Sequence, residues 1–203
     1  MLLIVEGIDG AGKTTAVDKI IKPFLEKQLR VSVLYKREPG GSPLAEKLRK
    51  VILRDDVDDF GTLLLMIACR NSLINTTINP HLRKGGVVVC DRFYQSTLVY
   101  QHVEAGFDRA FIDSLQNHLP AVEADLFTIY FELPPSIARE RSLSRKRVNR
   151  YDTKPISFYE KIAYGYKKIA EEDKRSVTVD ATLPLSKLQV EIERILKSVF
   201  KLG

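Results

Sequence analysis

The chain has 203 residues, of which 44% are hydrophobic and 29% charged, a composition that suits a single globular domain over residues 1–203. No stretch reaches the roughly 18 apolar residues of a membrane span. The apolar start lacks a basic region and is interrupted by Glu6, which argues against a signal peptide. We therefore expect a cytoplasmic protein without a membrane partner. The net charge of +6 fits anionic substrates, a nucleic-acid partner or a solvated surface.

The cysteines and histidines give no sign of a redox or zinc site. Cys69 and Cys90 lie within apolar segments, where buried thiols are expected rather than a disulfide. The three histidines, His81, His102 and His118, do not have the spacing of zinc ligands.

The first predicted elements are a strand over 2–6 and a helix over 13–28, and the loop between them carries a phosphate-binding pattern. Gly7–Thr14 reads GIDGAGKT and fits G-x-x-x-x-G-K-[ST] at every fixed position. Such a loop directs backbone N–H groups and a helix dipole at one phosphate, and a lysine adds a formal charge. Pro23 falls inside the predicted helix, so we expect a kink or an end near residue 22.

The rest of the chain alternates between strand-like and helix-like segments. Nearly continuous apolar runs predict strands, and residues at helical spacing predict helices. This alternation predicts an α/β fold, a doubly wound parallel five-stranded sheet flanked by helices, as in P-loop NTPases. The further strands are expected at 31–36, 86–91, 126–132 and 176–180, and the further helices at 43–53, 60–84, 108–118, 135–147, 156–173 and 184–200.

Charged residues follow two of these strands, at the edge where ligands bind in such sheets. Asp91 ends the third strand and is predicted to hold Mg²⁺ together with the Thr14 hydroxyl; the alternative is a helix cap or an ion pair with Arg92. Arg92 itself offers a fork of donors that suits phosphate. Arg37-Glu38-Pro39 follows the second strand and either faces a ligand or forms an ordinary connection.

Two further basic features have more than one interpretation. Arg70 lies in an apolar helix, where it either extends its stem toward solvent or points into a cavity. Residues 139–150 contain six basic side chains and one acid, Glu140. This stretch is interpreted as a solvated helix face, a nucleic-acid patch or a lid over a transferred phosphoryl group.

Together these segments resemble the thymidylate kinase family, whose members phosphorylate dTMP with ATP. The motifs occur in the family's order over nearly the whole chain, and those after the P-loop are far more specific than the P-loop itself. The matching residues are EGIDGAGKTT at 6–15, REPGG at 37–41, DRFYQSTLVYQ at 91–101, and Arg141 and Arg145 ahead of RYD at 150–152.

The resemblance implies roles for individual residues. Catalysis is expected from Lys13, Arg92 and Arg145, with Mg²⁺ at Thr14 and Asp91 and a lid at about 139–155. ATP is expected at Gly7, Ile8, Asp9, Gly10, Ala11, Gly12, Lys13, Thr14, Thr15, Arg141, Arg145, Asp180 and Ala181. dTMP is expected at Asp9, Arg37, Glu38, Pro39, Met66, Arg70, Arg92, Ser96, Thr97, Tyr100 and Gln101. The resemblance also implies a homodimer.

One departure from the family pattern keeps a second acceptor open. Met66 occupies a position where the family often has a phenylalanine that stacks on thymine, and a thioether does not stack as a ring does. A kinase for another nucleotide, such as dUMP, is therefore the alternative. A GTP-dependent switch lacks its Asn-Lys-x-Asp segment here, and a nucleic-acid-binding ATPase is suggested only by the basic charge. No nucleic-acid partner is expected.

Overall fold

The computed structural model describes residues 1–54, 56–144 and 149–202. Its centre is a five-stranded sheet with the strand order β2-β3-β1-β4-β5, in which all neighbouring strands are parallel. The predicted doubly wound α/β architecture is confirmed. The strands are β1 Leu2–Gly7, β2 Val33–Arg37, β3 Val87–Asp91, β4 Leu126–Glu132 and β5 Ser176–Asp180.

The helices, numbered α1 to α8 along the chain, cover both faces of this sheet. Three of them contain a π-helical segment. They are α1 (Lys13–Ala16, π-helical Val17–Ile21, Lys22–Gln28), α2 (Pro43–Arg54), α3 (Asp59–Leu73, π-helical Ile74–Ile78, Asn79–Leu82), α4 (Tyr94–Thr97, π-helical Leu98–Glu104), α5 (Arg109–Asn117), α6 (Pro135–Leu143), α7 (Ile156–Glu172) and α8 (Leu185–Phe200).

Two details differ from the sequence prediction. Helix α4 was not predicted at all. For α1, a kink or an end was expected near residue 22; the end is wrong, because the chain stays helical to Gln28, but the helix changes there from π-helical to α-helical. The π-helical segment Val17–Ile21 lies directly before Pro23, so the missing N–H changes the hydrogen-bond spacing instead of ending the helix.

The core explains why the central strands are apolar throughout. β1 is buried along its whole length, and its side chains pack alternately into two hydrophobic clusters. Leu3 and Val5 pack in one cluster with side chains of α1, α7 and α8, while Leu2 and Ile4 pack in another with side chains of α3. Burial on both faces removes the hydrophobic–polar alternation that a half-exposed strand shows. Cys69 and Cys90 are buried free thiols, as expected.

Strand register brings the predicted site to one edge of the sheet. Asp91 at the end of β3 is opposite Val5 of β1 and Arg37 of β2. The P-loop leaves β1 two residues after Val5, so it begins beside Asp91. Over the described ranges, no helix combines the length and the apolar character needed to cross a membrane.

Candidate active site

A cavity of about 660 Å³ lies at the carboxyl ends of β1, β2 and β3. The P-loop residues 9–15 form one wall, and residues of the segment after β2, of α3 and of α4 form the opposite wall. Most residues predicted from the sequence as binding residues line it. They are Asp9, Gly10, Ala11, Gly12, Lys13, Thr14, Thr15, Arg37, Glu38, Pro39, Met66, Arg70, Asp91, Arg92, Ser96, Thr97, Tyr100, Gln101, Arg141 and Ala181.

The P-loop has the conformation that its glycines allow. Gly10 has a φ of 88°, and a Cβ there would lie 2.5 Å from the carbonyl oxygen of Ala138 in α6. Only glycine fits this close approach. Gly7 and Ile8 lie behind the cavity wall, where their carbonyl oxygens accept hydrogen bonds of 2.7 and 2.9 Å from Lys13 Nζ.

Lys13 is almost fully buried, with 6% of its surface exposed. Burial, with a further contribution from the nearby Arg92 charge, lowers the pKa of Lys13 to about 8. The ammonium is therefore charged at neutral pH but close to its titration. Its compact charge at the start of α1 suits contact with the phosphates of a nucleotide.

Thr14 and Asp91 form a pair of oxygen ligands. Thr14 Oγ1 donates a 3.0 Å hydrogen bond to Asp91 Oδ2. The other carboxylate oxygen, Oδ1, is buried and accepts no hydrogen bond from the described part of the chain. A hydroxyl and a carboxylate with an unsatisfied oxygen fit Mg²⁺, which takes few protein ligands and completes its shell with waters and phosphates. No cluster of three or more His, Cys, Asp or Glu ligands occurs in ranges 1–54, 56–144 and 149–202.

Arg92 projects from the turn after β3 with a φ of 71°, a left-handed conformation that is unusual for a non-glycine residue. It does not take the alternative partner Asp91. Its Nη2 lies 3.1 Å from Asp9 Oδ1 and 3.4 Å from the hydroxyl of Tyr100. Tyr100 in turn donates to Asp9 Oδ2 at 3.2 Å. The guanidinium thus lies between the P-loop and α4.

Glu6, near the end of β1, holds the start of α4 in place. Its Oε1 accepts hydrogen bonds from the backbone N–H groups of Phe93 (2.7 Å) and Ser96 (3.1 Å), and its Oε2 accepts one from Ser96 Oγ (2.7 Å). The carboxyl is fully buried, and this desolvation raises its pKa. Glu6 acts as a cap supplied by a distant strand.

Arg70 does not extend toward solvent: its side chain is 1% exposed. Its Nε and Nη2 donate to Glu38 Oε2 at 2.9 and 2.6 Å, and Nη2 also donates to Thr97 Oγ1 at 2.8 Å. Nη1 donates to Gln116 Oε1 at 3.1 Å. This network ties α3, α4 and α5 to the segment after β2 and forms one end of the cavity.

The end of the cavity near Arg70 has the character of a pocket for a planar polar group. Met66 and Pro39 supply apolar surface to the cavity, and Gln101 of α4 also lines it. Gln101 Oε1 and Glu38 Oε1 are buried and accept no hydrogen bond from the described residues. Buried acceptors without donors are costly unless a ligand supplies the donors.

At the opposite end, Ala181 lines the cavity together with Leu183 and Leu188, which suits an apolar ring. Asp180 lies outside the wall, where its carboxylate accepts from Thr182 N and Oγ1 at 2.8 and 2.6 Å. Arg141 lies on α6, and its Nη1 is 3.4 Å from Gly10 O. Arg145 lies outside the described residues.

Two arginines that line or support the cavity had no individual role in the sequence prediction, although Arg150 belonged to the predicted lid segment. Arg49 of α2 lines it and donates to Pro39 O at 2.7 Å. Arg150 donates to Val57 O at 2.9 Å and Thr62 Oγ1 at 2.8 Å, so it connects the segment after α6 to the start of α3. Arg49 carried no signal beyond its charge, whereas Arg150 belonged to a matched motif.

The fold and the site together define a P-loop kinase with two substrate regions. One region, around Lys13, Thr14 and Asp91, suits a nucleotide triphosphate with its metal, and the other, around Arg92 and Arg70, suits a second phosphorylated compound. A family model described as thymidylate kinase matches residues 5–192. The chain belongs to the thymidylate kinase family.

Individual relatives agree with this assignment. The thymidylate kinase of Verminephrobacter eiseniae is 38% identical over 186 residues, which cover 87% of this chain and 81% of the relative. That of Blochmanniella pennsylvanica is 33% identical and covers 95% and 92%. The crystal structure of the thymidylate kinase from Ehrlichia chaffeensis superposes with a TM-score of 0.76 at 27% identity, covering 97% and 98%.

Proposed function

We propose that this protein transfers the γ-phosphoryl group of ATP to the 5′-phosphate of dTMP, giving dTDP and ADP. The observation that carries the proposal is that one loop borders both substrate regions. Thr14 at its end is hydrogen-bonded to Asp91, with which it forms the pair of oxygen ligands, while Asp9 near its start contacts Arg92. Two phosphates bound there lie side by side, which is the arrangement that in-line transfer needs.

Phosphoryl transfer requires the protein to align the two substrates and to supply positive charge around their phosphates. An oxygen of the dTMP phosphate forms the new bond to the γ-phosphorus, and the bond from that phosphorus to the bridging oxygen breaks, leaving ADP. No general base is needed because the attacking oxygen is already anionic near neutral pH. Lys13 and the P-loop amides hold the ATP phosphates, and Arg92 holds the acceptor phosphate. Thr14 and Asp91 would hold Mg²⁺, which neutralises charge on the transferred group.

The nucleoside of dTMP fits the end of the cavity around Arg70. The ring lies over Met66, and its N–H meets the unsatisfied Gln101 Oε1, while the remaining Nη1 proton of Arg70 faces a ring carbonyl. Asp9 and Tyr100 border the sugar, and Arg37 and Arg49 add charge near the phosphate. The named relatives are thymidylate kinases and give no support to the alternative dUMP kinase.

The lid, the dimer and the location stay predictions from the sequence. Residues 139–155, with Arg141 and Arg145, are proposed to close over the ATP phosphates. An exposed apolar patch supports a homodimer: Phe60, Leu64 and Phe111 are each more than two-fifths exposed, and Phe60 stacks on Phe111 with ring centroids 6.4 Å apart. Such patches mark contact surfaces. We propose that the enzyme works in the cytoplasm.

The test is an ADP-release assay with ATP, Mg²⁺ and dTMP, dUMP, dCMP or dGMP in parallel. The proposal predicts the highest kcat/KM with dTMP and little release without an acceptor. Because one methyl group in an apolar pocket contributes only about 1–3 kcal/mol, dUMP should be the nearest competitor. A higher kcat/KM for any other acceptor would overturn the choice of substrate.

A further inference from the structure

Arg92 is held from two sides by different elements. On the cavity side, Asp9 and Tyr100 contact its Nη2. On the far side, Nη1 donates to Ser96 Oγ at 3.0 Å and to the hydroxyl of Tyr166, which lies closer still. Tyr166 is on α7, is 6% exposed and does not line the substrate cavity.

The far-side contacts form a chain with one direction. Ser96 has a single hydroxyl proton, which it donates to Glu6 Oε2 at 2.7 Å. The 2.8 Å contact between Ser96 Oγ and the Tyr166 hydroxyl therefore has Tyr166 as donor. Since Tyr166 uses its proton on Ser96, it can only accept from Arg92. The chain runs from Arg92 through Tyr166 and Ser96 to the buried carboxylate of Glu6.

This chain occupies both Nη1 protons of Arg92 without using the phosphate side. Nη2 lies on the side of Asp9 and Tyr100, which both line the cavity. Burial raises the pKa of the Tyr166 hydroxyl, so the phenol stays protonated and the direction of the chain does not change with pH in the neutral range. A guanidinium fixed at one edge presents its other edge at a defined angle.

We propose that Tyr166 is a positioning residue for acceptor-phosphate recognition: its hydroxyl fixes Nη1 of Arg92 from outside the cavity so that Nη2, on the cavity side, faces the phosphate of the acceptor. The inference rests on the proposed function, in which Arg92 holds that phosphate. It also gives α7, which follows the predicted lid segment, a direct contact to the phosphate-binding side chain.

The test compares Tyr166→Phe with the wild type by calorimetric binding of dTMP, thymidine and ATP. The variant keeps the ring and removes only the hydroxyl. Loss of one hydrogen bond to a charged group should raise the Kd for dTMP about tenfold. The Kd values for thymidine, which has no phosphate, and for ATP should stay within about twofold, because neither depends on Nη1 of Arg92.

The matched control is Tyr130→Phe, which removes a hydroxyl that donates to Asp173 Oδ2 at 3.1 Å, just beyond the end of α7. It should leave all three Kd values unchanged. Ser96→Ala, which removes the acceptor of the Tyr166 proton, serves if Tyr166→Phe does not fold; because Ser96 also lines the cavity, its loss of dTMP affinity supports the chain only if it too disappears in an Arg92→Lys background. In an Arg92→Lys background the Tyr166→Phe effect on dTMP should disappear.

Other outcomes distinguish the positioning role of Tyr166 from the phosphate-binding role of Arg92. Equal losses for dTMP and thymidine, or additive effects of Arg92→Lys and Tyr166→Phe, would overturn the positioning role of Tyr166. So would an unchanged dTMP affinity in a folded Tyr166→Phe variant. If the wild type binds dTMP no more tightly than thymidine, the proposed role of Arg92 fails instead, and with it the proposed function.

Discussion

Thr14 and Asp91 are 77 positions apart in the chain, yet the Thr14 hydroxyl donates a 3.0 Å hydrogen bond to the Asp91 carboxylate. Parallel pairing of β1 with β3 produces this contact, because Val5 and Asp91 are opposite one another and the P-loop starts two residues later. The second oxygen of Asp91 is buried without a hydrogen-bond partner in the described part of the chain. The pair therefore has the chemistry of a metal site that substrate phosphates complete.

Asp91→Asn should lower kcat by about 100-fold and raise the Mg²⁺ concentration needed for half-maximal activity, since an amide carries no negative charge for the cation. A magnesium titration of the steady-state rate measures both, and a chelator should abolish wild-type activity. Asp125→Asn is the control: this carboxylate is 76% exposed and pairs with Arg175 away from the cavity. An unchanged magnesium dependence in Asp91→Asn would contradict the assignment.

The binding of ATP should weaken at alkaline pH. Burial holds the pKa of Lys13 at about 8, below its usual 10.5, so the ammonium is charged below that pH and neutral above it. The Kd for ATP should therefore rise as pH increases through 8, by about tenfold at pH 9. Lys13→Met should bind ATP weakly at every pH, without this slope. A wild-type Kd that is flat between pH 7 and 9 would argue against Lys13 as the phosphate-binding charge.

Removal of Arg70 should destabilise the fold strongly. Arg70 and Glu38 are 1% and 4% exposed and form a charge pair at 2.6 Å. Arg70→Met leaves a buried carboxylate without its partner and should cost about 3–5 kcal/mol of unfolding free energy in urea. The double variant Arg70→Met, Glu38→Leu should recover most of that loss, whereas the exposed-pair control Asp125→Asn should cost less than about 1 kcal/mol. Equal losses of unfolding free energy in the single and double variants would show that the unpaired Glu38 carboxylate does not cause the destabilisation.

Met66→Phe should improve the acceptor site. A ring in place of the thioether can stack on the base, and aromatic pairs contribute about 0.5–1.5 kcal/mol. The KM for dTMP should fall by roughly two- to tenfold, while the KM for ATP stays the same because Met66 lies at the far end of the cavity. A variant with a normal melting temperature and an unchanged or higher KM for dTMP would show that the base does not lie over residue 66.

The sequence predicted the centre of the sheet well because β1 and β3 are buried, nearly continuous apolar runs that end at a loop or a charged residue. Helix α4 was missed for a physical reason. Its first residues include Tyr94 and Thr97, which have modest helix propensity, and Phe93 before them offers no side-chain cap. The cap comes from Glu6, which accepts from the N–H groups of Phe93 and Ser96 across the sheet. Glu6 lies 87 residues before Phe93 in the chain, so the pattern of residues near α4 cannot reveal this cap.

The site was predicted where residues belong to short motifs and missed where contact depends on packing. Lys13, Asp91 and Arg92 follow strand ends, and the topology alone brings them together. Arg49 and Tyr166 lie on helices, and only the docking of α2 and α7 decides which of their many polar residues reaches the cavity or Arg92. Asp180 shows the converse, since the family resemblance implied a place at the cavity but its carboxylate accepts from Thr182.

The most direct test of the central claim follows the phosphoryl group itself. The protein is incubated with ATP labelled at the γ-phosphate, Mg²⁺ and dTMP, and the products are separated by chromatography. The account predicts that the label moves to the β-phosphate of dTDP in step with the formation of ADP, and that Lys13→Met loses this transfer. Label found only in inorganic phosphate, with dTMP unchanged, would contradict it.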